Sequence, residues 1–297
     1  MGKYTQVEDN LLDISNPIYD ILSSANAPVW WHNVKNDDSL YIEIRKDNYL
    51  DVYFKGGCVA KISYNQRKKQ FVVVTHPKYL NRKEKNNSAW FKKRVKDGKI
   101  VYEAIYQDCT EWLENPSKLE ILKNNVTENY SGNEEGENTS EKLIQSKLII
   151  NHRNKYLDSE FAYRFYDNHR NTIRIDLVRI ENDLFVFEEL KRIIDCRLRT
   201  TKGDPEIYTQ MNNYEGFIRQ NQKALTTYYQ TLYKIKIKLG LPVPPVENIE
   251  SICVNPQPTL LIINNYDEIS TGKADRISSI TSFLEQKHIN FDIRTEI

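Results

Sequence analysis

The sequence predicts a protein of mixed α/β (α+β) class, with a smaller β-rich N-terminal domain and a larger C-terminal domain of helices and strands. From Val29 to Val74 the residue pattern predicts strands. A polar, acidic and glycine-containing stretch follows at 125–138, and two apolar strands joined by a tight turn occupy Thr172–Lys191. The predicted boundaries are therefore 1–124 for the first domain, 125–138 for a linker and 139–297 for the second domain.

Composition excludes several classes of protein. The formal net charge is +1, so any surface that binds nucleic acid must be locally basic. The cysteines are far apart and form no C-x-x-C pair, which argues against a zinc module or a disulfide framework and favours a reducing compartment. The chain has no apolar run long enough to span a bilayer and no apolar signal core, so we expect a cytoplasmic protein with no membrane partner.

The N-terminal domain is predicted to contain a small antiparallel sheet. Its strands are expected at 40–45, 49–55, 58–63 and 71–75, with turns between them and Trp30 and Trp31 packed on one face. A short helix is expected within residues 11–25, since Pro17 suits the first turn. The apolar spacing within 100–124 predicts a closing helix that Pro116 interrupts.

The segment Lys78–Lys99 is locally basic and contains Trp90 and Phe91. Basic residues interleaved with aromatic ones can follow a phosphate backbone and stack against bases. The alternative is a solvated loop and helix face that binds nothing. The candidate nucleic-acid-binding residues of this segment are Arg82, Lys83, Lys92, Lys93 and Arg94.

The C-terminal domain is predicted to begin with a helix capped by Thr139 or Ser140. A strand at Ser159–Phe165 should form a three-strand meander with the Thr172–Lys191 hairpin. Asp204 followed by Pro205 predicts the start of a long helix that extends to Leu239. The remaining predicted elements are a strand at Thr259–Ile263, a helix at Ile277–Gln286 and a strand at Ile289–Arg294.

The hairpin carries charged residues in strands that are otherwise apolar. Asp176 lies in its first strand, and the second strand ends in Glu188, Glu189 and Lys191. Glu189 and Lys191 project to the same side because side chains alternate along a strand. Burial of a charge is costly unless the charge is paired or holds a metal, so we expect a functional site here.

Two alternatives remain open at the hairpin. Asp176 has arginines at 174 and 179 as ordinary ion-pair partners. Glu188 would replace Glu189 if the register shifted by one residue.

Asp176 followed by Glu189-Leu190-Lys191, and then by Gln210 and Tyr214 one helical turn apart, resembles the PD-(D/E)XK nuclease superfamily. The last two residues match the Q-x-x-x-Y element of the RecB-like branch. The resemblance covers roughly 139–297. It implies a restriction-endonuclease-like core of element order αβββαβ, in which helices flank a mixed sheet.

The match has one departure and leaves the N-terminal domain unexplained. Arg174 and Ile175 precede Asp176, so the literal Pro-Asp pair is absent. Members of the superfamily vary at that position. The N-terminal domain is expected to bind substrate or a partner.

The resemblance implies a nuclease that uses Mg²⁺ or Mn²⁺, most directly a DNA endonuclease of restriction, phage defence or repair that acts as a homodimer. Asp176 and Glu189 would bind the metal together with the Leu190 carbonyl. Lys191 would orient or deprotonate the attacking water or stabilise the developing charge. Mg²⁺ prefers oxygen ligands and keeps several waters, so two carboxylates suffice to hold it.

Three further residues complete the implied catalytic set: Gln210, Tyr214 and Glu141, with Glu160 as a weaker alternative to Glu141. Each candidate also has a structural interpretation. Tyr214 lies on an apolar helix stripe, Glu141 suits the first turn of any helix, and Lys191 suits a surface ion pair.

Two other functions remain consistent with the sequence. One is a non-catalytic nucleic-acid-binding or scaffold protein that retains the nuclease fold. The other assigns the biology to the first domain, as a sensor or partner-binding module in defence against foreign DNA. No Gly-rich phosphate loop occurs, which argues against an ATPase.

Overall fold

The computed structural model describes residue 7 and residues 11–80, 90–96, 99–131, 136–164 and 172–295. The chain divides into two compact units. The N-terminal unit comprises Leu12–Gly132 and Ile235–Leu241, and the C-terminal unit comprises Met1–Leu11, Asn133–Lys234 and Pro242–Ile297. The chain thus leaves the N-terminal unit within the stretch predicted as a linker.

The N-terminal unit contains a five-stranded antiparallel sheet in the order β1-β2-β3-β4-β7. The four strands expected from alternation are present within two residues of their predicted ends. The helices are α1 (Pro17–Ser23), α2 (Val29–Lys35), α3 (Pro77–Leu80), α4 (Thr110–Glu114) and α5 (Pro116–Val126). The strands are β1 (Leu40–Arg45), β2 (Tyr49–Phe54), β3 (Gly57–Asn65), β4 (Gln70–Thr75), β5 (Phe91–Lys96), β6 (Lys99–Ala104) and β7 (Gln107–Asp108).

Two expectations for this unit are wrong. Val29–Lys35 is a helix, because Trp30, Trp31 and Val34 have helical spacing and are all buried. Residues 100–108 form strands rather than a helix, since β6 pairs with β5 as a hairpin. Within the part of the stretch that is helical, Pro116 marks the predicted break, because α4 ends at Glu114 and α5 begins at Pro116.

The start of α5 has a clear local cause. The Asn115 side chain accepts hydrogen bonds from the backbone N–H groups of Ser117 and Lys118, and proline is favoured at the first helical position. Helical structure then continues through Thr127–Ser131, so the predicted linker is partly helical.

The C-terminal unit has a sheet in the order β13-β12-β10-β9-β8, in which β11 also pairs with β10. Strands β8, β9 and β10 are antiparallel, whereas β10, β12 and β13 are parallel. The helices are α6 (Glu141–Asn151), α7 (Glu206–Leu239), which belongs to the N-terminal unit from Ile235 onward, and α8 (Thr271–Gln286). The strands are β8 (Tyr156–Arg164), β9 (Thr172–Glu181), β10 (Leu184–Arg192), β11 (Cys253–Val254), β12 (Thr259–Ile263) and β13 (Phe291–Arg294).

Local sequence explains the ends of these elements. The Ser140 hydroxyl accepts a hydrogen bond from the Leu143 N–H, so Ser140 caps α6 as predicted. The turn between β9 and β10 has Asn182 at φ 49° and Asp183 at φ 57°, a conformation that these two residue types tolerate best after glycine. Within the described ranges, no helix combines the length and the apolar character needed to cross a bilayer.

Candidate active site

The hairpin strands β9 and β10 separate at the predicted site. Their ladder ends at the pair Leu177–Glu188, and from Glu188 onward β10 pairs with β12 on its other side. The Asp176 carboxylate then accepts a hydrogen bond of 3.0 Å from the Leu190 N–H. A side chain therefore occupies the position of the next ladder bond, and its carboxylate lies beside the end of β10.

Lys191 lies between the two acids. Its ammonium donates hydrogen bonds to Glu189 Oε1 and, at 2.7 Å, to the Leu190 carbonyl. The same Nζ is 4.0 Å from Asp176 Oδ2. Lys191 and Glu189 are almost completely buried, with 1% and 3% of their surfaces exposed. We call Asp176, Glu189 and Lys191 the strand-end cluster.

The strand-end cluster has an excess of negative charge. The pKa of Glu189 is raised to about 7, because burial and then the nearby charge of Asp176 together outweigh the opposing effects of Lys191 and Gln210. Glu189 Oε2 is buried and accepts no hydrogen bond from the described residues. An unpartnered buried carboxylate oxygen is unusual, because such groups are costly to leave without a partner.

Helix α7 supports the cluster through the predicted glutamine and tyrosine. Gln210 Nε2 is 2.6 Å from Glu189 Oε1 and 2.7 Å from the Tyr214 hydroxyl. The Tyr214 hydroxyl in turn donates to the Arg174 carbonyl of β9. Tyr214 is buried, and burial raises the pKa of its hydroxyl, so it remains a hydrogen-bond donor at neutral pH. These two residues link α7 to both hairpin strands.

Helix α6 brings Glu141 towards the cluster. Burial raises the pKa of Glu141, Lys191 opposes this effect, and the charge of Asp176 adds to it. Its Oε1 is buried, finds no hydrogen-bond partner among the residues that the structure describes, and lies 3.8 Å from the Arg197 guanidinium. Glu160, the weaker alternative, instead forms an ion pair with Lys142 of α6.

Three neighbours of the cluster were missed from the sequence. Gln145 donates a 2.5 Å hydrogen bond to the Asp176 carbonyl. Arg197 makes a two-pronged contact with Asp195, at 3.0 and 2.7 Å. Burial would raise the pKa of Asp195, but the Arg197 hydrogen bonds outweigh burial and lower it to about 2. The charged run after β10 was the available signal for Asp195 and Arg197, whereas nothing local marked Gln145.

The structure pairs Arg179 and Glu188 with each other. Arg179 pairs with Glu188 and Glu181 rather than with Asp176. Glu188 is fully buried in that pair, opposite Leu177 in the register. Glu189, not Glu188, therefore joins Lys191.

The candidate nucleic-acid-binding residues belong to the N-terminal unit. Lys92, Lys93 and Arg94 are exposed on β5, but Arg94 lies 2.8 Å and Lys92 4.0 Å from Glu103 of β6. Glu103 offsets part of the positive charge of this strand. Arg82 and Lys83 lie outside the described residues.

The donor atoms of the strand-end cluster suit a hard cation with several waters. The carboxylates of Asp176 and Glu189 both lie beside Lys191. Glu189 Oε2 is buried and has no hydrogen-bond partner among the described residues, and carboxylate oxygens are ligands that Mg²⁺ prefers. The Leu190 carbonyl, also implied as a ligand, accepts a hydrogen bond from Lys191. Among the described residues, no group of three or more His, Cys, Asp or Glu side chains is arranged to hold a metal. The donor set among the described residues is therefore two carboxylates, an open arrangement rather than a closed protein cage.

Comparisons with known proteins add no assignment, since no family model, curated protein or solved structure that was searched matches the chain.

Proposed function

We propose that this protein is a nuclease that requires a divalent metal ion and hydrolyses the phosphodiester bonds of DNA. The observation that carries the proposal is the strand-end cluster, where two carboxylates converge on one buried lysine and Glu189 retains an oxygen with no hydrogen-bond partner in the described part of the chain. Buried charge at the separating ends of two strands costs stability, so it favours a functional role over a structural one.

The arrangement of elements supports the same proposal. Along the chain the C-terminal unit has α6, then β8, β9 and β10, then α7 and β12, and its sheet contains antiparallel and parallel pairs. With the two-residue strand β11 set aside, this order supports the αβββαβ core that the resemblance to PD-(D/E)XK nucleases implies. Asp176 and Glu189 occupy the second and third strands of that order, and Gln210 and Tyr214 occupy the following helix.

Each residue of the cluster has a distinct role in the proposed reaction. Asp176 and Glu189 would hold Mg²⁺, which when bound neutralises phosphate charge and lowers the pKa of coordinated water. The Lys191 ammonium orients the attacking water and stabilises the negative charge that develops on the phosphate. Gln210 fixes the orientation of the Glu189 carboxylate through its 2.6 Å hydrogen bond. Tyr214 holds Gln210 in place.

A second candidate is a non-catalytic nucleic-acid-binding or scaffold protein with the same core. One observation favours it: the Lys191 ammonium is already bonded to Glu189 and to a backbone carbonyl, as in a structural ion pair. The two candidates differ in what Mg²⁺ does. A metal-dependent nuclease cleaves DNA only when the cation is present, whereas a non-catalytic scaffold cleaves no DNA with or without Mg²⁺.

The test is a cleavage assay with circular, linear and single-stranded DNA, and with RNA, in Mg²⁺ or Mn²⁺. We expect metal-dependent cleavage of DNA by the wild type and none by Glu189→Gln. The matched control is Glu188→Gln, which changes a buried glutamate one residue away whose partner is Arg179. We expect that variant to cleave wherever circular dichroism shows it folded. Cleavage by folded Glu189→Gln at the wild-type rate would exclude the proposal.

A further inference from the structure

A cavity of about 600 Å³ lies in the C-terminal unit, between helix α8 and the segment Cys196–Pro205 that connects β10 to α7. Its volume falls in the range of small-molecule sites. Its lining residues are Cys196, Leu198, Arg199, Thr200, Thr201, Gly203, Pro205, Arg276, Ser279, Ile280 and Phe283. None of these cavity-lining residues is acidic.

The floor of the cavity is apolar. Leu198 and Ile280 are 3% exposed, and the Phe283 ring lies beside them on α8. Helix α8 contributes four lining residues at positions i, i+3, i+4 and i+7, which share one face of the helix: Arg276, Ser279, Ile280 and Phe283. A planar, weakly polar group such as a nucleobase would bury its faces against this floor.

The rim of the cavity is basic and rich in hydroxyl groups. Arg199 and Arg276 contribute guanidinium groups, and Thr200 and Thr201 contribute hydroxyls. Within the described residues, Arg276 donates to the Tyr266 hydroxyl at 2.6 Å and Arg199 donates to the Ile194 carbonyl at 3.4 Å. A guanidinium carries five donors and matches phosphate geometry, so donors remain for an anion.

The cavity adjoins the strand-end cluster along the chain. Arg197 contacts Glu141, whose pKa responds to both Lys191 and Asp176. Cys196 and Leu198, the two neighbours of Arg197, line the cavity. Because consecutive Cα atoms lie about 3.8 Å apart, one short segment borders the cluster on one side and the cavity on the other.

We propose that this cavity binds one nucleotide of the substrate strand next to the bond that is cleaved. The base packs on Phe283 and Ile280, and the phosphate is held by Arg199 and Arg276. This assignment rests on the proposed nuclease function, and it adds a positioning site for the strand that the cluster alone does not provide. Two arginines and an apolar floor recognise a base joined to a phosphate better than either part alone.

The experiment fills the cavity without touching the cluster. Ser279→Phe adds bulk to a lining residue, and Ser278→Phe makes the same change at an exposed neighbour that does not line the cavity. Arg199→Gln removes a lining charge, with exposed Lys202→Gln as its matched control. The probes are the four deoxynucleoside 5′-monophosphates, 2-deoxyribose 5-phosphate and inorganic phosphate, measured by isothermal titration calorimetry on the full chain.

We expect the monophosphates to bind the wild type more tightly than the sugar phosphate or inorganic phosphate. Ser279→Phe and Arg199→Gln should each weaken this binding by about tenfold or more, consistent with loss of one charge-assisted or stacking contact. In the cleavage assay the same variants should raise KM by a similar factor and leave kcat within about twofold. Both control variants should match the wild type.

Two results would overturn the assignment. One is a wild type that does not bind the monophosphates, or binds them no better than inorganic phosphate. The other is DNA cleavage with an unchanged KM in Ser279→Phe, which leaves the nuclease proposal intact. Conversely, monophosphate binding that Ser279→Phe abolishes supports the cavity even if the wild type cleaves no substrate, an outcome that removes only the nuclease proposal.

Discussion

Substitution of Glu189 by glutamine should make the protein more stable at alkaline pH, although it removes a buried ion pair. Glutamine has nearly the same shape, and its carbonyl oxygen can accept the hydrogen bonds that Lys191 and Gln210 donate to Glu189 Oε1. The substitution removes only the charge of a carboxylate whose second oxygen accepts no hydrogen bond from the residues described in the structure. The raised pKa of Glu189 sets the size of the effect.

The sign and the magnitude follow from linkage. The pKa of Glu189 rises from the usual 4.5 to about 7 in the folded protein, so the protonated side chain stabilises the fold relative to the charged one. That stability is fully present below pH 4.5 and is lost as the pH rises through 7. One pKa unit corresponds to about 1.4 kcal/mol, so the loss amounts to about 3 kcal/mol at pH 8.

The assay is urea unfolding at pH 4.5 and pH 8 in the presence of a chelator. Glu189→Gln should match the wild type at pH 4.5 and exceed its free energy of unfolding by about 3 kcal/mol at pH 8. Glu188→Gln is the control, and it should lose stability at both pH values because the buried Arg179 guanidinium loses one of its two carboxylate partners and keeps Glu181. Added Mg²⁺ should stabilise the wild type at pH 8 and not Glu189→Gln.

A Glu189→Gln variant that is less stable than the wild type at pH 8 would refute this account. It would show that Lys191 already compensates the Glu189 charge.

Three further predictions concern other contacts. Lys191→Ala should reduce kcat by about a hundredfold or more in single-turnover cleavage, because charge stabilisation at the phosphate is lost; a smaller change would exclude Lys191 from the reaction. Tyr214→Phe should reduce kcat by about tenfold, because the Tyr214 hydroxyl acts on the strand-end cluster only through its hydrogen bond with Gln210. Circular dichroism should show the variant folded, and an unchanged kcat would show that Tyr214 serves only in packing. Glu43→Ala should destabilise the protein by about 3–5 kcal/mol in urea unfolding, because it removes the buried carboxylate that lies 2.9 Å from the Lys236 ammonium. Replacement of Glu43 by Leu together with Lys236 by Met should cost much less stability, because no charge is then buried. Equal losses in the single and double variants would contradict this interpretation.

Local patterns were sufficient for much of the fold. The alternation of Leu40–Arg45 and Tyr49–Phe54 identified two strands, because side chains of opposite polarity on the two faces leave a period of two in the sequence. The hairpin turn was also predicted from a local signal, because the polar residues Glu181, Asn182 and Asp183 separate two apolar strands. Val29–Lys35 was misassigned because two adjacent tryptophans within an apolar stretch suit a strand as well as a helix, and only the packing of that segment distinguishes the two.

The candidate site shows the same division. The spacing of Glu189 and Lys191 placed them on one side of a strand, and the four-residue spacing of Gln210 and Tyr214 placed them on one face of a helix. Residue spacing alone therefore predicted which side chains lie on the same side of a strand or on the same face of a helix. Three contacts depend on the folded chain. The Asp176 carboxylate accepts a hydrogen bond from the Leu190 N–H, and Glu188 pairs with Arg179. Helix α6 and the segment that contains Asp195 both lie beside the strand-end cluster. These contacts join residues far apart in the chain, and their geometry depends on where two strands separate, which no periodicity within a single strand records.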